Sequence, residues 1–374
     1  MAGIYIHIPF CKQKCTYCDF HFRTNYQGYR ERMLSCIAKE IEDRSHELDG
    51  QLIQSIYFGG GTPSLLNSSE ISKLIQLIQE LHQLTTTPEI TLECNPDDLS
   101  DENCQSWITA GVNRLSIGLQ SFDQKDLDWM NRAHHAKQSV EGVKTAQKHG
   151  FQNISIDLIY GLPDMSLGRW KKQLDQAIDL GIQHISSYCL TVEEKTLLHH
   201  LVKTGKIIPA EEQIQSDHFH LLVQQLNAAG FEQYEVSNFA IPGYEAIHNS
   251  SYWKSVPYQG IGPSAHSFQK NQRSWNLASN QLYMKGIEEG QRAFEEENLN
   301  PKDRFNEILL TGLRTKWGVS LKELEKHLPL STSFLKQVQE LTRAGKIQQK
   351  DNQLTLTKEA FFFADGIAQQ LFQD

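Results

Sequence analysis

The sequence predicts an α/β protein whose core is a partial (β/α)6 barrel, followed by a small C-terminal α+β unit. Two observations support this fold class. Short apolar runs alternate with longer stretches in which apolar residues recur every three or four positions, the pattern of βαβ units around a parallel sheet. Six such units occur before about residue 195, whereas a closed barrel normally needs about eight. The barrel is therefore expected to be incomplete.

The six predicted strands are residues 4–8, 55–58, 90–94, 114–119, 154–159 and 185–190. Amphipathic spacing between them predicts helices at residues 29–45, 69–84, 101–110, 139–149 and 170–180. Helix-end signals agree with this assignment. Asn67 and Glu70 form a capping signature before the second helix, and Gly111, Gly150 and Gly181 directly follow helical runs.

The remaining third of the chain changes pattern. A helix is expected at residues 214–229 and a strand at 231–235. From about residue 300, three short helices precede a hairpin around Asp351 and Asn352, an order that resembles a winged helix. We therefore predict a barrel core at residues 1–195, an extension of that core at 196–299 and a winged-helix-like domain at 300–374.

Bulk composition restricts the class of partner. The net charge of −9 argues against a general polyanion binder, and residues 301–374 hold 11 Lys and Arg against 9 Asp and Glu. No nucleic-acid partner is therefore expected. No apolar run approaches the ~20 residues of a membrane span, and the N-terminus does not resemble a signal peptide. With an odd number of cysteines, 7, a cytoplasmic protein with reduced thiols is expected.

Three cysteines, Cys11, Cys15 and Cys18, follow the first predicted strand in one short loop. Thiolates at this spacing can converge on a [4Fe–4S] cube, and three ligands leave one iron without a protein ligand. Such an iron can bind a small molecule and transfer an electron to it. A structural zinc site completed by His7 or His21 is the alternative.

The second predicted strand ends in three glycines and a threonine, next to the expected position of the cysteine loop. Backbone groups exposed at Gly60, Gly61 and Thr62 could bind the methionine part of S-adenosylmethionine (SAM). SAM bound at the open iron would accept an electron and release a 5′-deoxyadenosyl radical. A simple tight turn is the alternative interpretation of the glycines.

Further candidates for SAM binding lie on or near other predicted strands. Tyr17 could stack on adenine or pack beneath the loop. Glu93 and Asp157 are carboxylates on otherwise apolar strands, where an unpaired charge is costly, so ligand binding or pairing is expected. Gln120 and Arg132 could donate to a carboxylate, although Arg132 is equally compatible with a surface salt bridge.

The chain resembles the radical SAM superfamily at residues 5–18, 59–64 and 157–163, and also at Glu93 and Gln120. Within it, the chain is similar to the branch containing oxygen-independent coproporphyrinogen III oxidase and the HemW-type haem chaperones. The resemblance implies a radical SAM fold. It also implies two sets of SAM-binding residues, of which the first is Tyr5, Gly60, Gly61, Thr62 and Glu93. The second set, which binds a second SAM in the oxidases, corresponds to Gln120, Arg132 and Asp157.

One segment separates the two branches. His248, Asn249, Tyr252 and Trp253 match the His-Asn-x-x-Tyr-Trp motif of the haem chaperones, where the motif is associated with haem. Imidazole is a common axial ligand of haem iron, and amphipathic rings can cover a porphyrin. In addition, Phe20 stands where the oxidases carry a further cysteine.

The resemblance thus favours a haem chaperone that binds haem, a [4Fe–4S] cluster and SAM, and transfers haem to an acceptor protein. A respiratory-chain or membrane-associated acceptor and an electron donor for the cluster are the implied partners. No catalytic residue is assigned, and whether the protein is also an enzyme stays open. The alternative functions are oxidative decarboxylation of coproporphyrinogen III and radical chemistry on an unrelated substrate.

Overall fold

The computed structural model describes residues 1–373, and its N-terminal half is the predicted (β/α)6 barrel. Neighbouring core strands are parallel and follow chain order. The strands are β1 (Ala2–Ile8), β2 (Ile53–Gly60), β3 (Leu84–Cys94), β4 (Arg114–Gln120), β5 (Ile154–Tyr160) and β6 (His184–Cys189). The helices are α1 (Arg30–Asp43), α2 (Ser68–Leu81), α3 (Asp101–Thr109), α4 (Gln124–Trp129), α5 (Ala136–Lys148) and α6 (Leu167–Asp179).

Helix ends follow the signals in the sequence. Asn67 and Glu70 form a reciprocal capping box at the start of α2, and Gly111, Gly150 and Gly181 all have positive φ just beyond helices. Some predicted boundaries were wrong: α2 ends at Leu81 rather than at residue 84, β3 begins at Leu84 rather than at residue 90, and α5 and α6 each begin three residues earlier than predicted. The chain becomes extended at His82, and residues from Leu84 onward already belong to β3.

The strands of the barrel bury an apolar face against the helices. On β4, for example, Leu115, Ile117 and Leu119 are fully buried. The alternating residues Ser116 and Gly118 point the other way and line the interior of the barrel, because successive side chains of a strand face opposite sides. The helices thus stabilise the outer face, and the polar positions of the strands are left to form a site inside.

Residues beyond the sixth strand extend the sheet at both edges. The short strand β8 pairs with β6, and β9, which the sequence did not predict, pairs in parallel with β1. Within residues 1–373, the resulting twelve-stranded sheet has the order β12-β11-β10-β9-β1-β2-β3-β4-β5-β6-β8-β7. The elements added are α7 (Leu197–Lys203), α8 (Glu212–Ala228), β7 (Glu232–Glu235), β8 (Asn238–Ala240), α9 (Ile247–Trp253), β9 (Tyr258–Ile261), β10 (His266–Gln269), β11 (Gln272–Asn276), α10 (Asn280–Glu288) and β12 (Phe294–Asn298).

The C-terminal unit has the element order of a winged helix, as predicted. A hairpin turning at Asp351, which has positive φ, joins the last two strands, and the sheet order is β13-β15-β14. Its elements are α11 (Pro301–Leu313), β13 (Val319–Ser320), α12 (Leu321–Glu325), α13 (Thr332–Arg343), β14 (Ile347–Lys350), β15 (Gln353–Leu356) and α14 (Ala364–Gln370). Across residues 1–373, no helix has the length and apolar character needed to cross a lipid bilayer.

Candidate functional site

A cavity of about 770 Å³ occupies the interior of the barrel. It extends from the cysteine loop at the carboxyl ends of the strands to helix α9 at their amino ends, where the His248 ring lies beside Gly3 and Ser55. Every residue predicted to bind the cluster or SAM lines this barrel cavity, as do His248, Asn249 and Tyr252. Segments far apart in the chain therefore contribute to one continuous site.

The three motif cysteines are free, half-buried thiols on the wall of the barrel cavity. Hydrogen-bond donors reach two of them: the Thr62 hydroxyl lies 3.5 Å from Cys11 Sγ and Arg132 Nη1 lies 3.3 Å from Cys15 Sγ. Burial raises the pKa of Cys11 to about 11 and that of Cys18 to about 12, because a thiolate loses hydration there. Donors and a bound cation would offset this penalty.

The three cysteine thiols are soft ligands that suit either a cubane or a zinc ion. In the described residues, no group of three or more His, Cys, Asp and Glu side chains is placed to hold a single metal ion. The thiolates of a four-iron cube bind different irons, so they need not converge on one point. Of the two alternative fourth ligands, His7 is buried with its Nε2 2.8 Å from the carbonyl oxygen of His21, and His21 Nε2 lies 2.7 Å from Asn280 Oδ1.

Glu93 lies at the end of β3 beside the glycine turn. Its carboxylate accepts hydrogen bonds from the Tyr57 hydroxyl at 2.8 Å and from the Gly60 amide at 3.1 Å. Burial, with a smaller contribution from the neighbouring Asp157 charge, raises the pKa of Glu93 to about 7. Burial likewise raises the pKa of Asp157 to about 6. Both carboxyl groups are therefore poised to gain from a cationic ligand.

Arg132 forms the bridge between the cysteine loop and the strand ends. Its Nη2 donates to Asn95 Oδ1 and to the Gly118 carbonyl oxygen, both at 2.7 Å, while Nη1 faces Cys15. The alternative interpretation of Arg132 as a surface salt bridge is wrong, because its partners are a thiol, a side-chain amide and a backbone carbonyl rather than a carboxylate. Gln120 has a φ of 65° and extends its amide into the same region.

The two tyrosines of the predicted SAM set, Tyr5 and Tyr17, both line the cavity wall. Tyr5 projects from β1, and its hydroxyl is 3.1 Å from His7 Nδ1. Tyr17 is partly buried against the apolar core and also faces the cavity. Tyr17 therefore both packs beneath the loop and presents an aromatic ring to the site, so the two sequence-based alternatives are compatible.

The predicted haem segment forms α9, which closes the amino end of the barrel. The Glu89 carboxylate accepts the backbone N–H groups of Ile247 and His248, both at 2.9 Å, and so caps this helix. Both ring nitrogens of His248 are engaged, Nδ1 with Ser55 Oγ and Nε2 with the Tyr252 hydroxyl, each at 2.9 Å. Burial lowers the pKa of His248 to about 3, so its imidazole is neutral near pH 7.

The other two members of the segment differ in position. Asn249 lines the cavity and donates to the Tyr234 hydroxyl at 3.1 Å. Trp253 is not part of the cavity wall, and its indole instead packs under the guanidinium of Arg314 at 5.2 Å. Three of the four predicted haem residues therefore reach the cavity, and Trp253 supports the helix from outside.

Sequence reasoning missed several polar side chains in the barrel cavity. The sequence did contain a pattern that could have identified them, because polar residues at every second position of an apolar strand face the interior. Examples on β4 are Arg114, Ser116 and Gln120. The missed residues are Tyr57, Asn95, Arg114, His184 and Tyr188.

Family comparisons agree with this geometry. The sequence model of the radical SAM superfamily matches residues 5–177, and that of the HemN C-terminal domain matches residues 299–363. The solved structure of coproporphyrinogen III oxidase (HemN) from Escherichia coli aligns with a TM-score of 0.85 and 21% identity, covering 100% of this chain and 90% of that one. Fold and site together define a radical SAM protein.

Comparison with known relatives identifies the family within the radical SAM proteins to which the chain belongs. The chain is 33% identical to the heme chaperone HemW of Bacillus subtilis (strain 168), with 96% of both chains covered. It is 31% identical to the heme chaperone HemW of Lactococcus lactis, covering 99% of this chain and 97% of that one. The chain therefore belongs to the HemW family of haem chaperones.

Proposed function

We propose that the protein holds a [4Fe–4S] cluster on Cys11, Cys15 and Cys18, binds SAM beside it and binds haem for transfer to an acceptor protein. The observation that carries this proposal is the continuous barrel cavity, which joins the cysteine loop to the α9 segment. The residues assigned to SAM are Tyr5, Tyr17, Gly60, Gly61, Thr62, Glu93, Gln120, Arg132 and Asp157.

A bound cluster with one open iron would supply an electron to SAM. The chain's own residues would position that ligand. The Glu93 carboxylate, already held by Tyr57 and Gly60, suits the ammonium group of the methionine part. The ring of Tyr17 offers a stacking surface for adenine, and the Gln120 amide, which also lines the cavity, can bind polar groups of the ligand.

The haem proposal rests on a neutral imidazole at the floor of the same cavity. Haem iron binds neutral imidazole, and the low pKa of His248 supplies it without loss of a proton. Because Nε2 is hydrogen-bonded to Tyr252, iron ligation at that atom requires the tyrosine hydroxyl to move away. Asn249 and Tyr252 border the space that the porphyrin would enter.

The substitution His248→Ala is expected to weaken hemin binding by about tenfold or more, because it removes the iron ligand. Tyr252→Phe is the matched comparison, since it leaves the imidazole in place and removes the hydroxyl that competes for Nε2. Titration of hemin followed at the Soret band would measure both. Loss of binding in Tyr252→Phe with unchanged binding in His248→Ala would contradict the assignment.

SAM affinity is expected to rise with pH through about 7, because an ammonium group prefers the ionised Glu93 carboxylate. The folded-state pKa lies above the ordinary value of 4.5. Protonation of Glu93 therefore stabilises the folded state. Its contribution to the free energy of unfolding is fully present below pH 4.5 and is lost as the pH rises through about 7. Calorimetric SAM titrations at about pH 6 and pH 8 should show this trend in the parent protein and a weaker one in Glu93→Gln.

The partners and compartment follow from the same proposal. A cluster on thiolates needs an electron donor and a reducing compartment, for which we propose the cytoplasm. A haem carrier needs an acceptor, for which we propose a respiratory-chain or membrane-associated protein. Domain limits at residues 195 and 299 stay predictions, as does the absence of a nucleic-acid partner.

The rival function is oxidation of coproporphyrinogen III, favoured by the overall likeness of fold to HemN. Phe20, which stands where the oxidases carry a cysteine, is 68% exposed and lies beside the cavity. Anaerobic incubation of the reduced cluster protein with SAM and coproporphyrinogen III separates the two functions. Formation of protoporphyrinogen would overturn the chaperone-only proposal, and product analysis would also reveal radical chemistry on another substrate.

A further inference from the structure

Arg114, the first residue of β4, is a buried cation whose Nε has no hydrogen-bond partner within residues 1–373. It is 2% exposed and lines the barrel cavity. The nearest carboxylate oxygen belongs to Glu89 and lies 3.8 Å from Nε. Both oxygens of Glu89 already accept backbone N–H groups of α9. The Nε donor of Arg114 is therefore available to a ligand.

A buried guanidinium in this state is a strong indication of an anion site. Removing a charge from water is costly unless hydrogen bonds replace the lost hydration. The planar fork of arginine matches a carboxylate, which it can bind through two parallel hydrogen bonds. The hydroxyl of Thr91, the register partner of Arg114 on β3, is also buried without a partner. Arg114, unlike Thr91, lines the cavity, so its guanidinium carries the unpaired donor that a ligand can reach.

The position of Arg114 connects this anion site to the haem segment. Glu89 contacts both the haem segment and Arg114, because its carboxylate caps α9 at the His248 backbone N–H and lies beside the Arg114 guanidinium. The positive charge of Arg114 also contributes to the low pKa of His248, after the larger effect of burial. A ligand that binds His248 would therefore find a cation close to its edge. Haem carries two propionate carboxylates at one edge of an otherwise apolar ring.

We propose that Arg114 binds a propionate of haem inside the barrel, which deepens the proposed function and rests on it. Haem and SAM then share one cavity, with haem at the amino ends of the strands. Arg314, another cavity-lining arginine, is a weaker candidate because its Nη1 already donates to Asp365 at 2.5 Å. The carboxylate of SAM is the other possible anion, and it belongs near the cysteine loop.

The experiment compares hemin with hemin dimethyl ester, in which both propionates lose their charge. The parent protein is expected to bind hemin about tenfold or more tightly than the ester, because a charge-assisted bidentate pair is lost. Arg114→Gln should abolish this preference while binding the ester as the parent does, and the ester therefore also reports on folding. Arg114→Lys should retain part of the preference, and Arg314→Gln should retain all of it.

Three results would overturn the assignment while leaving haem binding intact. They are saturable hemin binding by the parent without discrimination against the ester, full discrimination in Arg114→Gln, and loss of discrimination in Arg314→Gln. SAM titrations complete the test: a tenfold loss of SAM affinity in Arg114→Gln with hemin discrimination unchanged would assign the anion to SAM. Absence of saturable hemin binding by the parent would overturn the proposed function, and this assignment with it.

Discussion

Replacing Cys18 by serine is expected to reduce the iron and sulfide content of anaerobically reconstituted protein to background. The motif supplies three thiolates from one loop, and losing one leaves a cube with two open irons. Serine oxygen is a harder donor than thiolate sulfur and therefore a poorer ligand for iron–sulfur centres. The characteristic EPR signal of the reduced cluster should disappear with the iron.

The matched control is Cys189→Ser. Cys189 ends β6, is a free and half-buried thiol, and lines the same cavity, yet it lies outside the motif. Its replacement should leave the iron content unchanged. Zinc in the parent protein, or full iron content in Cys18→Ser, would contradict the cluster assignment.

Gly60→Ala is expected to destabilise the fold by about 2–4 kcal/mol and to abolish measurable SAM binding. Gly60 has a φ of 104°, which L side chains rarely adopt. A Cβ atom there would lie 2.4 Å from the imidazole of His7. That ring cannot move freely, because the Tyr5 hydroxyl and the His21 carbonyl oxygen hold its two nitrogens. The turn that orients Glu93 would have to shift instead.

The control for this substitution is Gly168→Ala in α6. A Cβ atom at Gly168 would meet no other atom within 4 Å, and alanine favours the helix, so stability should be unchanged or slightly higher. Urea unfolding gives the stability difference and equilibrium dialysis gives SAM affinity. Equal stability of the two variants would show that the turn tolerates a side chain and would remove the basis for the proposed SAM contact.

The core elements were predictable because each depends on local patterns. Apolar runs of four to six residues identified all six barrel strands, and capping residues located the helix ends. Predictions failed where the local sequence does not favour a strand but the segment pairs with a neighbouring strand in the sheet. The first part of β3 is rich in threonine and contains Pro88, and β9 contains Gly260, whose backbone packs closely against His266. In such segments, pairing with the neighbouring strands determines that the chain forms a β-strand.

The site was only partly predictable. The cysteine loop and the glycine turn are contiguous motifs, so the sequence identifies them as candidate cluster and SAM sites while leaving a zinc site and a simple tight turn as alternatives. The engagement of both His248 ring nitrogens was not, since Ser55 is 193 residues away in the chain. The role of Arg132 as a bridge to Asn95 and Gly118 likewise depends on how the ends of β3 and β4 meet.

By itself, the sequence determined the fold class, the cluster loop and the family resemblance, because residues close in the chain encode each of them. Only the tertiary structure decided that the loop and the α9 segment face one cavity, and that Arg114 lies there with its Nε unpaired by any hydrogen bond within residues 1–373. Strand register and side-chain packing set those relations over long sequence separations, and no local pattern specifies them.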